Sequence, residues 1–308
     1  MHEMSLRQIH PHGDERLPLA VYPVDYPQGQ REILPCHWHE EFEIIYIDRG
    51  AGRFRIGKNT WDAQKGDVLF VQSRELHSAE SLGTQGCAYH AVVFRGTFLA
   101  SATMDACQID YINPILNKLQ QFPLAVTALH PVGVRVGSLI RDVVDLFATK
   151  RPGYELEIKG SLLCVLGALA FADALSPRTV SEGGIDRQDD IKKVLKYIEE
   201  NFVNEIHINE LASLVHLSRF HFCRLFKLYT GTSAVEFLNR YRVRHAATLL
   251  QQADTVMEAA MHSGYDNMSY FTLTFKRYMG VTPSEYKRLQ QCRDETRAIC
   301  GDMVGLSM

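Results

Sequence analysis

LASLVHLSRFHFCRLFKLYTG (211–231) and AAMHSGYDNMSYFTLTFKRYMG (259–280) are two versions of one pattern. Leu217 matches Tyr265 at an offset of 48. Phe222, Phe226, Lys227, Tyr229 and Gly231 match Phe271, Phe275, Lys276, Tyr278 and Gly280 at an offset of 49, so the second copy carries one extra residue in its turn. Each copy reads as a short helix, a tight turn and a longer helix. The apolar residues recur at three- and four-residue spacing, which places them on one buried stripe. Ser218 is placed to cap the longer helix of the first copy, Gly231 and Gly280 to end the two longer helices, and Gly264 to make the second turn.

A short helix bracing a longer one across a tight turn is the helix-turn-helix arrangement, in which the longer helix enters the DNA major groove. The segment between the copies, 234–250, predicts a helix of roughly 25 Å. That length suits two recognition helices set about 34 Å apart, one turn of DNA. Upstream, Ile191, Val194, Leu195 and Ile198 form a further helical stripe. Within 206–293 eleven Lys and Arg stand against six Asp and Glu, a local excess that suits a polyanion although the whole chain carries −3. Residues 191–289 resemble the DNA-binding domain of the AraC/XylS family of bacterial regulators. The resemblance rests on ELA (210–212), HLSRFHFCRLFK (216–227), RVRHAATLL (242–250), SGYDNMSYF (263–271) and FKRYMGVTPSEYKR (275–288), in that order. It implies seven helices, two helix-turn-helix units and promoter binding. The non-core positions of the first recognition helix are Arg219, His221, Cys223, Arg224 and Lys227. Arg224 stands where the family often sets Arg against bases. In the second unit Asn267, Met268, Ser269, Thr272 and Thr274 are expected to face DNA, with Lys276 and Arg277 at phosphates. Leu273 occupies a position where the family commonly has Arg, so that unit either positions the protein or reads thymine methyls.

The N-terminal half has a different texture. FEIIYI (42–47), RFRI (53–56), DVLFV (67–71) and AYHAVVF (88–94) read as strands. Residues 132–148 and 155–174 then read as helices. An α+β chain follows: an antiparallel β-barrel plus helices over 1–175, a polar linker over 176–190 and an all-α domain over 191–308. His37, His39 and Glu43 are spaced HxHxxxE, and GDVLFVQSRELH (66–77) supplies His77. On one strand, residues 37, 39, 41 and 43 would share a face. The pair of motifs resembles the cupin fold, whose metal site is three His and one Glu. The chain departs from that pattern. Arg31 stands at the opening Gly, and Gln72, Arg74 and Ser81 replace the favoured Pro, Gly and Asn. Two readings stay open: the four residues bind a divalent metal, or they are a polar lining that hydrogen-bonds an effector directly. Trp38, Arg53, Arg55, Tyr89 and His90 are further pocket candidates. The apolar face of Val136, Leu139, Ile140, Val143, Leu146 and Phe147 either covers the barrel or joins two copies into a homodimer.

Composition narrows the class. With 46% apolar and 22% charged residues the chain is ordinary for a globular protein. Its longest apolar run, 162–172, is too short to span a bilayer. The first residues lack a basic-then-apolar leader, which predicts a cytoplasmic chain. Seven cysteines include no CxxC pair, which argues against zinc fingers and thioredoxin chemistry. The expected function is a sequence-specific DNA-binding transcription regulator, an activator by family resemblance. Its expected partners are double-stranded promoter DNA, a small-molecule effector such as a sugar, RNA polymerase and a second copy of itself. The rival is a metal-dependent cupin enzyme tethered to a DNA-binding domain.

Overall fold

The computed structural model describes residues 6–8, 12–29, 32–83, 86–178, 187–252 and 255–290. The described residues divide into two compact units, one up to Asp189 and one from Asp190 onward.

Seven antiparallel strands build the first unit: β1 (Leu19–Tyr26), β2 (Glu32–His37), β3 (Phe42–Ile56), β4 (Asn59–Gln64), β5 (Val68–Val71), β6 (His77–Ser81) and β7 (Cys87–Phe94). β3 organises them because it is long enough to serve two ladders. Its first half lies between β5 and β7, with Tyr46 opposite Val68 on one side and His90 on the other. Its second half lies between β4 and β6, with Phe54 opposite Trp61 and Ala79. Two sheets thus share one strand and enclose a common interior of Ile33, Ile45, Ile47, Phe54, Leu69 and Tyr89. Alternation along β7 and along each half of β3 makes this interior, and an irregularity between Ile47 and Arg49 shifts the phase so that Ile45 and Ile47 face the same side as Phe54 and Ile56.

A helical layer closes the opposite face. After a π turn, Gln108–Ile112, come α1 (Asn113–Leu116), the short β8 (Gln120–Gln121) and β9 (Ala125–Val126), α2 (Pro131–Thr149) and α3 (Tyr154–Phe171). β9 extends the sheet beside β5, and β8 pairs with β10 (Ser176–Pro177). Val136, Ile140, Val143 and Leu146 of α2 share one core with Ile44, Tyr46, Val68 and Phe70 of the sheet. Each such side chain is worth roughly 1.5–3 kcal/mol when fully buried. The apolar face of α2 therefore covers the sheet, which decides between the two roles open for it in the sequence.

The second unit is helical: α4 (Gln188–Asn201), α5 (Ile208–Leu214), α6 (Arg219–Thr230), α7 (Ala234–Gln251), α8 (Val256–His262) and α9 (Met268–Met279). Ordered elements occupy both ends of the stretch read as a linker, β10 at its start and the first turn of α4 at its end; residues 179–186 lie outside the described residues. The helix-turn-helix starts are capped as their sequence dictates. Ser218 accepts from His221 N, Ser233 from Glu236 N and Asn267 from Tyr270 N. Thr255 and Glu258 form a reciprocal capping box at α8. Phe222 and Phe226 pack on each other and on Phe237, and Phe271 and Phe275 repeat the arrangement with Tyr286. The internal repeat is thus a repeat of cores as well as of letters.

Candidate functional site

The outward face of α6 carries Arg219, His221, Cys223, Arg224 and Lys227, all exposed. They fall there because Phe222, Phe226 and Tyr229 take the buried stripe. Among the described residues no ion pair engages Arg219, Arg224 or Lys227. Three cations held on a helix without partners are available to phosphates and base edges. The His221 ring lies against the cap, with Nδ1 3.2 Å from Ser218 Oγ.

On α9 the structure refines the expected set. Met268, Ser269, Lys276 and Arg277 are exposed, and Arg277 lies over the Tyr278 ring. Asn267 is exposed too, but its side chain is spent on the cap, accepting from Tyr270 N at 2.9 Å. Thr272 is half-buried and its hydroxyl donates to the Met268 carbonyl at 2.9 Å. Thr274 does not face outward: it is buried with Phe271 and Phe275, because it lies three residues after one and next to the other on the helical stripe. Two apolar side chains stand out instead. Leu273, at the position equivalent to Arg224, is 70% exposed, and Phe220 in the first turn of α6 is 72% exposed. Phe220 escaped the sequence reading because a lone Phe on an amphipathic helix reads as core.

The second site lies in the first unit. His37 ends β2, His39 follows in the connection to β3, Glu43 is the second residue of β3 and His77 opens β6. One strand does not carry the first three, as the alternation suggested; the chain bends between β2 and β3. The four nevertheless meet. Their donor atoms all lie within 4.8 Å of one another. His39 Nε2 and His77 Nε2 are each 3.0 Å from Glu43 Oε2. The His37 and His77 rings stand 4.1 Å apart between centroids. Each imidazole is held by a backbone carbonyl: Nδ1 of His37 donates to Pro35 O at 2.8 Å, that of His39 to Glu41 O at 3.2 Å and that of His77 to Glu75 O at 2.9 Å. All three Nε2 atoms are thereby left for the centre.

The electrostatics follow from burial. Desolvation, then the neighbouring His77, hold the His37 imidazolium well below its usual range. Burial alone would raise the Glu43 carboxyl, but His77 and His39 outweigh it and hold it well below the ordinary value. Burial opposes charge on His77, and the Glu43 carboxylate overcomes it and raises that pKa. His77 Nε2 is buried and makes no hydrogen bond of good geometry. The other pocket candidates scatter. Tyr89 is core, donating to Ile33 O at 3.2 Å. Arg53 makes a two-point ion pair with Asp62 on the outer face. Trp38 stacks under Arg7, and His90 is half-buried on β7. Residues that no motif announced also reach the tetrad: His12, whose ring stands 5.2 Å from that of His39, and Glu41.

Residues 23–163 match the model of the AraC-like ligand binding domain, and residues 211–289 that of a helix-turn-helix domain. The MmsAB operon regulatory protein of Pseudomonas aeruginosa is 30% identical over 292 residues, covering 91% of this chain and 85% of the relative. The chain belongs to the AraC family of transcriptional regulators. The uncharacterized HTH-type transcriptional regulator YdeC of Bacillus subtilis is 25% identical over 93% of this AraC-family chain and 97% of its own. A crystal structure of ToxT from Vibrio cholerae covers 88% of this chain and 99% of that one at 14% identity, with a TM-score of 0.44. The matched models and relatives of this AraC-family regulator are those of transcriptional regulators rather than enzymes, which sets the tethered-enzyme reading aside. No described helix is long and apolar enough to cross a membrane.

Proposed function

We propose that this AraC-family regulator activates transcription by placing α6 and α9 in successive major grooves of a promoter, under control of an effector site at His37, His39, Glu43 and His77. The unpaired cations on the outward face of α6 carry the first half of this reading. Arg219, Arg224 and Lys227, with His221 and Cys223 between them, form the first contact set; Met268, Ser269, Thr272, Lys276 and Arg277, anchored by the Asn267 cap, form the second. Arg224 is the base reader, since a guanidinium presents two donors to the O6 and N7 of guanine.

The tetrad fits a divalent transition metal. Three neutral imidazole nitrogens and one carboxylate are a common donor set for zinc, iron or nickel. The carbonyl bonds to Nδ1 are the outer contacts that aim Nε2 at an ion. Donor atoms around a tetrahedral ion sit about 3.3 Å apart, from metal–ligand distances near 2.0–2.1 Å, so small adjustments of the 3.0 Å contacts and of the wider pairs complete the cage. An ion there would also satisfy the buried His77 Nε2. A second copy of the chain fits α3, where Leu156, Gly160, Leu163, Gly167 and Phe171 line an uncovered stripe and Phe171 is 94% exposed. Contact with RNA polymerase follows from the activator role.

The test is an anisotropy titration of purified protein on the fragment upstream of its own gene, with transcription by RNA polymerase measured alongside. Saturable binding that exceeds binding to unrelated DNA, and that Arg224→Ala weakens at least about fivefold, supports the reading. Equal, salt-sensitive binding to any DNA refutes it.

A further inference from the structure

The tetrad is sealed. The side chains of His39 and His77 are 1% exposed and that of Glu43 4%. His12 packs beside the tetrad. It is buried, sits edge-on to His39, and is held by Tyr22, whose hydroxyl lies 2.9 Å from its Nδ1. Four protein donors complete the shell of a tetrahedral ion such as zinc. That is the pattern of ions held for structure or sensing; sites that present a metal to an organic molecule keep a position free. Among the described residues the donors offer an organic molecule almost no exposed surface, whereas a bare ion needs only the space between them.

We propose that the effector of this regulator is the divalent transition-metal ion itself. This inference rests on the reading of the tetrad as a metal site and goes one step further, from a metal that anchors some other ligand to a metal that is the signal.

The mechanical consequence follows from where the ligands sit. They come from three elements: β2, the start of β3 with its preceding connection, and β6. The β2–β6 ladder is irregular just here, with register shifts between Glu32 and Leu34 and between Leu34 and His37. It can therefore yield when an ion draws the donors together. His77 is the first residue of β6. Directly before it, Leu76 N donates to Gln188 Oε1 at 3.0 Å, and Gln188 Nε2 donates to Arg74 O at 3.2 Å. Gln188 is also the first residue of α4. A shift of His77 towards an ion thus acts on the residue at which the chain enters the helical half. An ion that binds the two positions of this segment unequally changes DNA affinity by that same inequality.

The experiment uses the full-length, tag-free chain. Protein stripped by chelator is reloaded with Zn²⁺, Fe²⁺, Mn²⁺, Co²⁺ or Ni²⁺ in turn. Bound metal is counted by plasma mass spectrometry, and affinity for the upstream DNA fragment is measured with and without the ion. The expected result is one ion per chain for at least one metal and a change of fivefold or more in DNA affinity between the stripped and loaded forms. Both the ion and the response should vanish in His77→Ala, and in the near-isosteric Glu43→Gln should His77→Ala fail to fold. Tight binding of one ion with unchanged DNA affinity overturns this inference and leaves the metal-site reading standing. Absence of any bound ion overturns both.

Discussion

Arg224 and Leu273 occupy equivalent positions in the two recognition helices, and their chemistry is opposite. Both project into solvent, one with five donors and one with none. Arg224→Ala is expected to weaken binding at the operator by about 1–3 kcal/mol, roughly five- to 150-fold, while binding to unrelated DNA at low salt changes little. Lys227→Ala should instead weaken all sequences alike and reduce the salt slope by about one unit. A log–log plot of affinity against salt separates the two outcomes, and identical behaviour would remove the distinct roles. Leu273 offers only apolar surface, which suits the thymine C5-methyl group. Replacing single thymines of a selected operator by deoxyuridine should therefore weaken wild-type binding about three- to fivefold at one position in the second half-site, since one buried methyl is worth about 0.8 kcal/mol. Leu273→Ala should erase that difference. If deoxyuridine is tolerated at every position, Leu273 reads nothing. At this scale the sequence was legible wherever a spacing rule applied: HxHxxxE named three of the tetrad residues, and helical periodicity named the α6 set. It was silent on His12, which belongs to no repeat and reaches His39 only through the fold. It was misleading at Thr274, whose small polar side chain reads as surface although the stripe of Phe271 and Phe275 buries it.

The two helix-turn-helix turns differ in one backbone detail. Gly264 has φ +77°, and a Cβ there would come within 2.6 Å of Val203 O and 2.9 Å of Phe202 O. At the matching point of the first turn His216 adopts φ +54°. A non-glycine residue in that left-handed region costs roughly 1–2 kcal/mol. His216→Gly should therefore stabilise the second unit by up to about 1 kcal/mol, offset in part by the greater freedom of glycine in the unfolded chain. Gly264→Ala should destabilise it by more than about 1 kcal/mol, because strain and a backbone clash act together. Chemical denaturation followed by circular dichroism reads both, and a neutral Gly264→Ala would show that the turn relaxes. The glycine was legible as a turn; the strained histidine was not, because nothing in its neighbours requires a positive φ. The long helices and the strands over 67–71 and 88–94 emerged from periodicity close to where they stand, whereas 42–47 and 53–56 proved to be one strand and β1, β2, β4 and β6 were not read. The break between β2 and β3 did not emerge, since alternation through 37, 39, 41 and 43 is also what two strands joined by a short bend produce.

For the whole molecule, the sequence disclosed two kinds of unit because their periodicities differ, two-residue before about residue 98 and three- to four-residue in the repeat. Which organ carries the signal and which the response was also legible, from motif chemistry. Periodicity has no term for closure, so it could not disclose that the tetrad is a sealed cage. If an ion in that cage and DNA on α6 and α9 bias one common equilibrium, thermodynamics imposes a condition stronger than a one-way effect. The factor by which the ion changes DNA affinity must equal the factor by which DNA changes ion affinity. With a tenfold effect, operator DNA at saturation should shift the dissociation constant of the ion tenfold, or about 1.4 kcal/mol. Competition against a metal-indicator dye, with and without operator, measures this directly. Unrelated DNA should shift it less, because contacts to phosphate alone hold the recognition helices without fixing their register on the bases. A Leu163→Glu variant, which would disrupt the proposed pairing of α3 with a second copy, tells whether the coupling runs within one chain. If its factor matches the wild type, the path through His77, Leu76 and Gln188 suffices; if coupling is lost while each ligand still binds, the signal passes through a dimer.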